Sequence, residues 1–229
     1  MIKRSLTSVL VLCIACVQSF VHAQNQSSQT DYFEGIVEYE LTYESLHPIR
    51  SSESFVENSP NKKLQFYKGG SFVIESYQND SLISRSWFDQ SSNKNYIHIA
   101  NSDTIYFYDV KNVDFDIEPP SIEKGDDILQ FETQKVTLKL KGKDNSLYAG
   151  NKSQLVFYIA PSLPTNPEWY VNFHEFRMNE VFSEVPGIIL KEEDIIFEIR
   201  KLTKTAVRIE HKSITLDLSI DPTKTLVEI

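Results

Sequence analysis

Side chains able to do chemistry are few and scattered in this sequence. Outside the N-terminal segment there are four histidines, His47, His98, His174 and His211, and no two of them stand at metal-ligand spacing. The stretch "NFHEFRMNE", residues 172–180, begins like a zinc-protease helix, where two histidines four residues apart share one face. Met178 occupies the second position, so that ligand pair is missing. Asp114, Asp116 and Glu118 in "NVDFDIE" alternate and could offer three oxygens to one side of a strand, but the twelve-residue calcium loop and its glycine are absent. No G-x-S-x-G elbow is present, and Gly69-Gly70 is not followed by a helix that could cradle phosphate. These absences point to a non-enzymatic protein without metal or cofactor. A triad is set by geometry rather than chain order, so a hydrolase remains a lesser alternative, needing a serine or carboxylate beside His98, His174 or His211.

The unusual supply is aromatic, with 14 phenylalanines, 11 tyrosines and 2 tryptophans. Flat side chains on curved strands can line an apolar cavity with tyrosine hydroxyls as its polar points, or can simply fill a core. Both readings stand on sequence alone, because small barrels are either hollow or filled. If a cavity exists, its expected lining is Tyr67, Trp87, Tyr96, Tyr106, Tyr108 and Trp169.

The elements that must position these groups are short strands. Residues 33–43 alternate, with Phe33, Val37, Tyr39, Leu41 and Tyr43 on one face and glutamates on the other, which is the period of a half-buried strand. Strands at 64–68, 72–77, 82–88, 96–99 and 105–110 follow. They are separated by Gly69-Gly70, Asn79-Asp80, Ser91-Ser92-Asn93 and Asn101-Ser102-Asp103, links short enough to force antiparallel neighbours. After a loop at Pro119-Pro120, strands are expected at 134–141, 155–159, 188–190, 195–199, 207–211 and 214–220. Residues 155–159 and 188–190 are apolar on both faces and need a second covering layer. Asn166 as N-cap, Pro167 at the first position and Trp169, Phe173 and Phe176 at i, i+4 and i+7 predict a covering helix. The expected fold is mainly β, a curved antiparallel sheet forming a half-open barrel, with one helix packed against it.

Residues 1–23 have a basic start, an apolar middle and Val21-His22-Ala23 before Gln24, the pattern of a secretory signal peptide cleaved after Ala23. A rival cut places Cys16 at the new N-terminus for lipid anchoring. Both cysteines lie in this segment, so cleavage after Ala23 removes the means for disulfides or thiolate chemistry. That segment holds two basic and no acidic side chains, leaving 21 basic against 32 acidic groups, a formal −11. Such a chain is repelled by phosphate backbones, which argues against nucleic acid as a partner. The expected organisation is a signal peptide at 1–23, a polar leader at 24–31 and a single β domain at 32–229, with no transmembrane span after cleavage. The protein is expected in the periplasm or outside the cell.

"FEGIVEYEL", "FYIAPSLPTNP" at 157–167 and "VPGIILK" at 185–191 occur in an order that resembles a family of secreted bacterial β proteins named for a Gly-Leu-Pro-Gly-Leu-Ile motif. Glu184 and Val185 replace the Gly-Leu that begins that motif, and a helix-like insert separates the last two stretches. The family has no established activity, so the resemblance implies fold and export rather than mechanism. At greater distance, a meander with a helix is similar to the half-open barrels of periplasmic lipoprotein carriers, which hold acyl chains in an aromatic concavity. The leading expectation is a protein that binds a lipid or other hydrophobic ligand. The alternative is an accessory module that pairs with an envelope protein partner through the strand at 214–220.

Overall fold

Turn chemistry sets the first half of the fold. In a computed structural model that describes residues 31–229, apart from 50, 58, 112–114, 145, 147, 148 and 198, Gly69-Gly70 and Asn79-Asp80 all have positive φ. Positive φ at both central residues matches the twist of a tight hairpin. These turns link β2 (Lys62–Lys68), β3 (Ser71–Gln78) and β4 (Ser81–Asp89), and β5 (Lys94–Ile99) and β6 (Thr104–Asp109) continue the meander. Ahead of them, β1 (Gly35–Ser45) buries Val37, Tyr39 and Leu41 on one face and is followed by a one-turn helix, α1 (Glu53–Val56).

The second half comprises β7 (Phe115–Ile117), β8 (Ser121–Lys124), β9 (Gln134–Gly142), β10 (Lys152–Ala160), helix α2 (Met178–Glu184), β11 (Ile188–Ile196), β12 (Arg200–His211) and β13 (Thr225–Glu228). Because β12 returns antiparallel beside β1, both halves join in one sheet of order β13-β6-β5-β4-β3-β2-β1-β12-β11-β10-β9-β7, with β8 also pairing β9. The sheet is curved and does not close. Tyr32–Ile229 form one compact unit. The expected signal peptide, Cys13, Cys16 and all but the last residue of the polar leader lie outside the described residues. No helix among the described residues is long and apolar enough to cross a membrane.

Three local expectations are corrected. Residues 188–190 and 195–199 are not two strands: β11 runs without a break from Ile188 to Ile196, carrying the acidic run 192–194 in its middle. Residues 207–211 are the end of the longer β12, and 214–220 form no strand. That segment still alternates, laying Leu216, Leu218 and Ile220 over Val73, Trp87 and Ile105. It straps the convex face before β13 joins β6 in parallel.

The expected helix also begins differently. Asn166 does cap it, its side chain accepting from the Glu168 N–H at 3.1 Å, but Pro167–Tyr170 make only a 3-10 turn. The N–H groups of His174 and Glu175 then donate to the carbonyl of Val110, at 2.9 and 3.0 Å, and so leave the helical ladder. Phe176 and Arg177 turn left-handed, with φ of 49° and 57°, before α2 starts. Tertiary hydrogen bonding outweighs helical propensity here. The result is a bent segment, residues 166–184, lying over the concave face. Tyr170, Phe173, Met178, Val181 and Phe182 pack there against Phe88, Leu155, Phe157 and Ile159.

Candidate functional site

Beneath this bent segment the core is incomplete. A half-enclosed cavity of about 280 Å³ lies between the inner faces of β2–β6, the start of β11 and the segment carrying Phe173, Glu175 and Phe176. Its walls are chiefly apolar, with Phe72, Ile74, Ile97, Phe157, Phe173 and Phe176 among them. At roughly 30 Å³ per water the space is about that of ten waters. This is close to the ~300 Å³ lower bound of ordinary small-molecule sites and too small for a whole lipid. The concave face is therefore both filled core and cavity.

Charged groups sit at two places in the wall. At one, β6 presents Tyr108 directly opposite Asn95 of β5, and both reach Glu175. The Tyr108 hydroxyl donates to Glu175 Oε1 at 3.2 Å, and Asn95 Nδ2 donates to Oε2 at 3.1 Å. Burial pushes the Glu175 carboxyl above the usual range, although these two donors pull it back. No lysine or arginine among the described residues forms an ion pair with it. Glu175 lines the cavity immediately before the left-handed kink at Phe176 and Arg177. Arg177 holds that kink with a two-pronged bond to Glu180 and a 3.0 Å bond to the carbonyl of Ile117. Two left-handed residues cost roughly 1–2 kcal/mol each, so the clamp holds a strained geometry.

At the other place Glu192 of β11 faces Lys204 of β12, and the two form an ion pair with 28 % and 12 % of their side-chain surfaces accessible. Both line the cavity, so accessible surface coexists with dense surrounding protein. The Lys204 ammonium also lies over the Tyr39 ring, 4.9 Å from its centroid. Burial works to raise the Glu192 pKa, but Lys204 and Lys63 bring it below the ordinary value. Burial opposes the charge on Lys204 as well, and Glu192 holds its pKa above the usual lysine value. Thr165, 3 % exposed, also lines the cavity, and its hydroxyl has no hydrogen-bond partner among the described residues.

The six expected lining residues separate by face. Tyr67 lines the cavity, with its hydroxyl 3.3 Å from that of Tyr39, and Tyr108 lines it beside Glu175. Trp87 and Tyr96 form part of the wall, but their rings stack 5.1 Å apart in the cluster beneath the convex strap. Alternation of neighbours along a strand puts those rings on the face opposite Phe88 and Asn95, so their share of the wall is main chain. Tyr106 pairs with Ile97 across the sheet but does not line the cavity. Trp169 lies outside too, packed edge-on to Tyr32 at 5.1 Å and so close to the β2–β3 turn that a Cβ on Gly70 would sit 2.7 Å from its own Cβ.

Sequence reasoning missed Glu175, Asn95, Glu192, Lys204 and Thr165. Glu175 stood in view within "NFHEFRMNE", where a metal pattern drew attention to His174 instead. No histidine among the described residues lines the cavity; His98 Nε2 lies 3.0 Å from the carbonyl of Ser102, and His211 packs on Phe33. Among the described residues no group of three or more histidines, cysteines or carboxylates is placed to hold a metal ion. Asp114 of the alternating acids lies outside the described residues, while Glu118 approaches Lys139 at 3.9 Å. Compared with protein-family models the chain finds no match, and compared with curated proteins it finds none.

Proposed function

We propose that this is an exported, non-enzymatic binding protein that holds an apolar or amphipathic molecule in the concave face of its sheet. The cavity carries the reading: a mostly apolar chamber with a few fixed polar groups is the usual form of a small-molecule site. Its volume favours one short chain or compact apolar body. Export rests on the basic, apolar and small-residue pattern of residues 1–23.

Native mass spectrometry of protein purified from its own host tests this reading. The expected result is a bound mass that organic extraction releases, and that Ile74→Trp, which fills the chamber from β3, excludes without loss of the β-sheet circular-dichroism signal. Protein that neither carries nor takes up any apolar molecule overturns it.

A second reading, an accessory module for an envelope partner, is favoured by a different observation. Strand β13 pairs with β6 along one edge, and Leu226 and Val227 are exposed. The segment first expected to supply that pairing, 214–220, instead packs on the convex face. Co-purification of a partner that depends on residues 225–228 distinguishes the two readings.

A further inference from the structure

The charges in the chamber point to a class of ligand. Among the described residues three side chains that carry charge at neutral pH line it, two acidic and one basic: Glu175, Glu192 and Lys204. Lys204 is already committed to Glu192 and to the face of Tyr39. Among the described residues Glu175 has two neutral donors and no cation. Its nearest charged chain neighbour, Arg177, is held by Glu180 and the carbonyl of Ile117. His174, beside it in the chain, is exposed. The remaining charged groups around the far polar patch, Lys63, Asp194 and Arg200, interact with Glu192 or with one another rather than with Glu175.

We propose that the chamber selects an organic cation, an amine with an apolar body, whose ammonium group seats against the Glu175 carboxylate. This rests on the binding reading above and narrows it. A partly buried carboxylate without a counter-charge is costly, and a bound ammonium supplies the missing charge. Phe173 and Phe176 line the chamber from the same segment as Glu175, and aromatic faces attract a desolvated ammonium as well. An anionic head, by contrast, meets one uncompensated carboxylate and one lysine already neutralised. The raised pKa of Glu175 agrees with its having neutral donors rather than a protein cation beside it.

Three probes of one chain length separate the head from the chain: decylamine, decanol and decanoate, titrated calorimetrically at pH 8 into the full-length mature protein. Decylamine is expected to bind roughly tenfold or more tightly than either of the others, the order of one added charge interaction. In Glu175→Gln the ratio of decylamine to decanol affinity falls toward one. A second measurement needs no variant. Wild-type affinity for decylamine weakens as pH falls through the Glu175 titration, because the amine keeps its charge while the carboxylate loses its own; the decanol affinity does not follow it. Equal binding of decylamine and decanol, or strongest binding of decanoate, overturns the cation preference and leaves the apolar chamber standing. Binding of none of the three overturns the binding reading itself.

Discussion

The hydroxyl of Tyr39 donates to the main-chain carbonyl of Ile189 at 2.7 Å, joining the first strand to a residue 150 positions later. Strand β12 lies between them, and the residue it places opposite Tyr39 is Ala206, small enough for the ring to pass over. Two sequence stretches, "FEGIVEYEL" and "VPGIILK", are thus tied by one side chain. Tyr39→Phe removes the donor to Ile189 and the neighbour of the Tyr67 hydroxyl. It is expected to cost about 1–2 kcal/mol, read as a lowered urea midpoint with unchanged slope.

Gly187 precedes β11 because nothing larger fits. A Cβ there would stand 2.3 Å from the carbonyl oxygen of Ala160 and 2.8 Å from its carbon, both main-chain atoms. The β10 backbone cannot give way without disturbing the β10–β11 pairing, which begins at Ala160 and Ile188. Gly187→Ala is expected to destabilise by about 1–3 kcal/mol, the range for overpacking. Pro186→Ala, at the neighbouring position, is expected to cost less. Thermal unfolding of the two variants side by side checks the order; an equal or reversed order refutes the close-approach argument.

The Glu192–Lys204 pair is more costly to break than to replace. Lys204→Met leaves Glu192 in the chamber wall without its ion-pair partner and with only the more distant charge of Lys63, for an expected loss of about 3 kcal/mol, since both groups are only partly accessible. Replacing both, Glu192→Leu with Lys204→Met, is expected to recover most of that loss, because the desolvation of both charges disappears together. A double-mutant cycle in denaturant measures it, and additive losses argue against the coupling.

The same pair shows what could be read from the sequence. The hairpins of β2–β4 were legible because their turns need positive φ and carry glycine, asparagine and aspartate there. The Asn166 cap was legible for an equally local reason. By contrast, "KEED" looks like an exit into water, and it becomes strand between β10, which pairs along it, and β12, which brings Lys204 opposite Glu192 and Lys201 within 3.0 Å of Glu193. The faces of β4 were hidden by a similar effect. Trp87 is 2 % exposed and Phe88 0 %, on opposite sides, because the strap beyond β12 covers Trp87 and residues 166–184 cover Phe88. Alternation identifies the inward face only where the outward face is wet.

Asp194 has a pH signature with a definite sign. Burial, reinforced by the adjacent charge of Glu192, raises its pKa from 3.8 to about 6, while Arg200 and Lys63 oppose the rise. Between these values the folded protein keeps a proton that the unfolded chain has lost, so the contribution of Asp194 to stability falls as pH rises through that window. Glu192 and Glu193, whose pKa values are lowered, act in the opposite sense, so the informative quantity is a difference between variants. Asp194→Asn is expected to gain stability relative to wild type as pH rises from about 4 to above 6. A stability difference flat across this range contradicts the assignment.

The strap at residues 212–220 is held at several points although it forms no strand. Glu34 accepts from the Ile214 N–H at 2.7 Å, Lys68 donates to the carbonyl of Ile214, and Arg85 donates to that of Asp217. The Arg85 guanidinium lies 5.0 Å from the Trp87 ring centroid, under the strap, and Trp87 stacks on Tyr96. Ending the chain after Lys212 removes Leu216, Leu218 and Ile220 from this cluster together with β13, and leaves the β6 edge unpaired. The expected outcome is a sheet that still folds on its concave core but binds a dye specific for exposed apolar surface and associates with itself through the freed edge. The two tryptophans make the test specific. In a Trp169→Phe background all emission comes from Trp87, which is expected to shift to the red on truncation while the concave chamber keeps its probe affinity. Unshifted emission from Trp87 contradicts the covering role of the strap, and lost probe affinity shows that the two faces of the sheet are coupled.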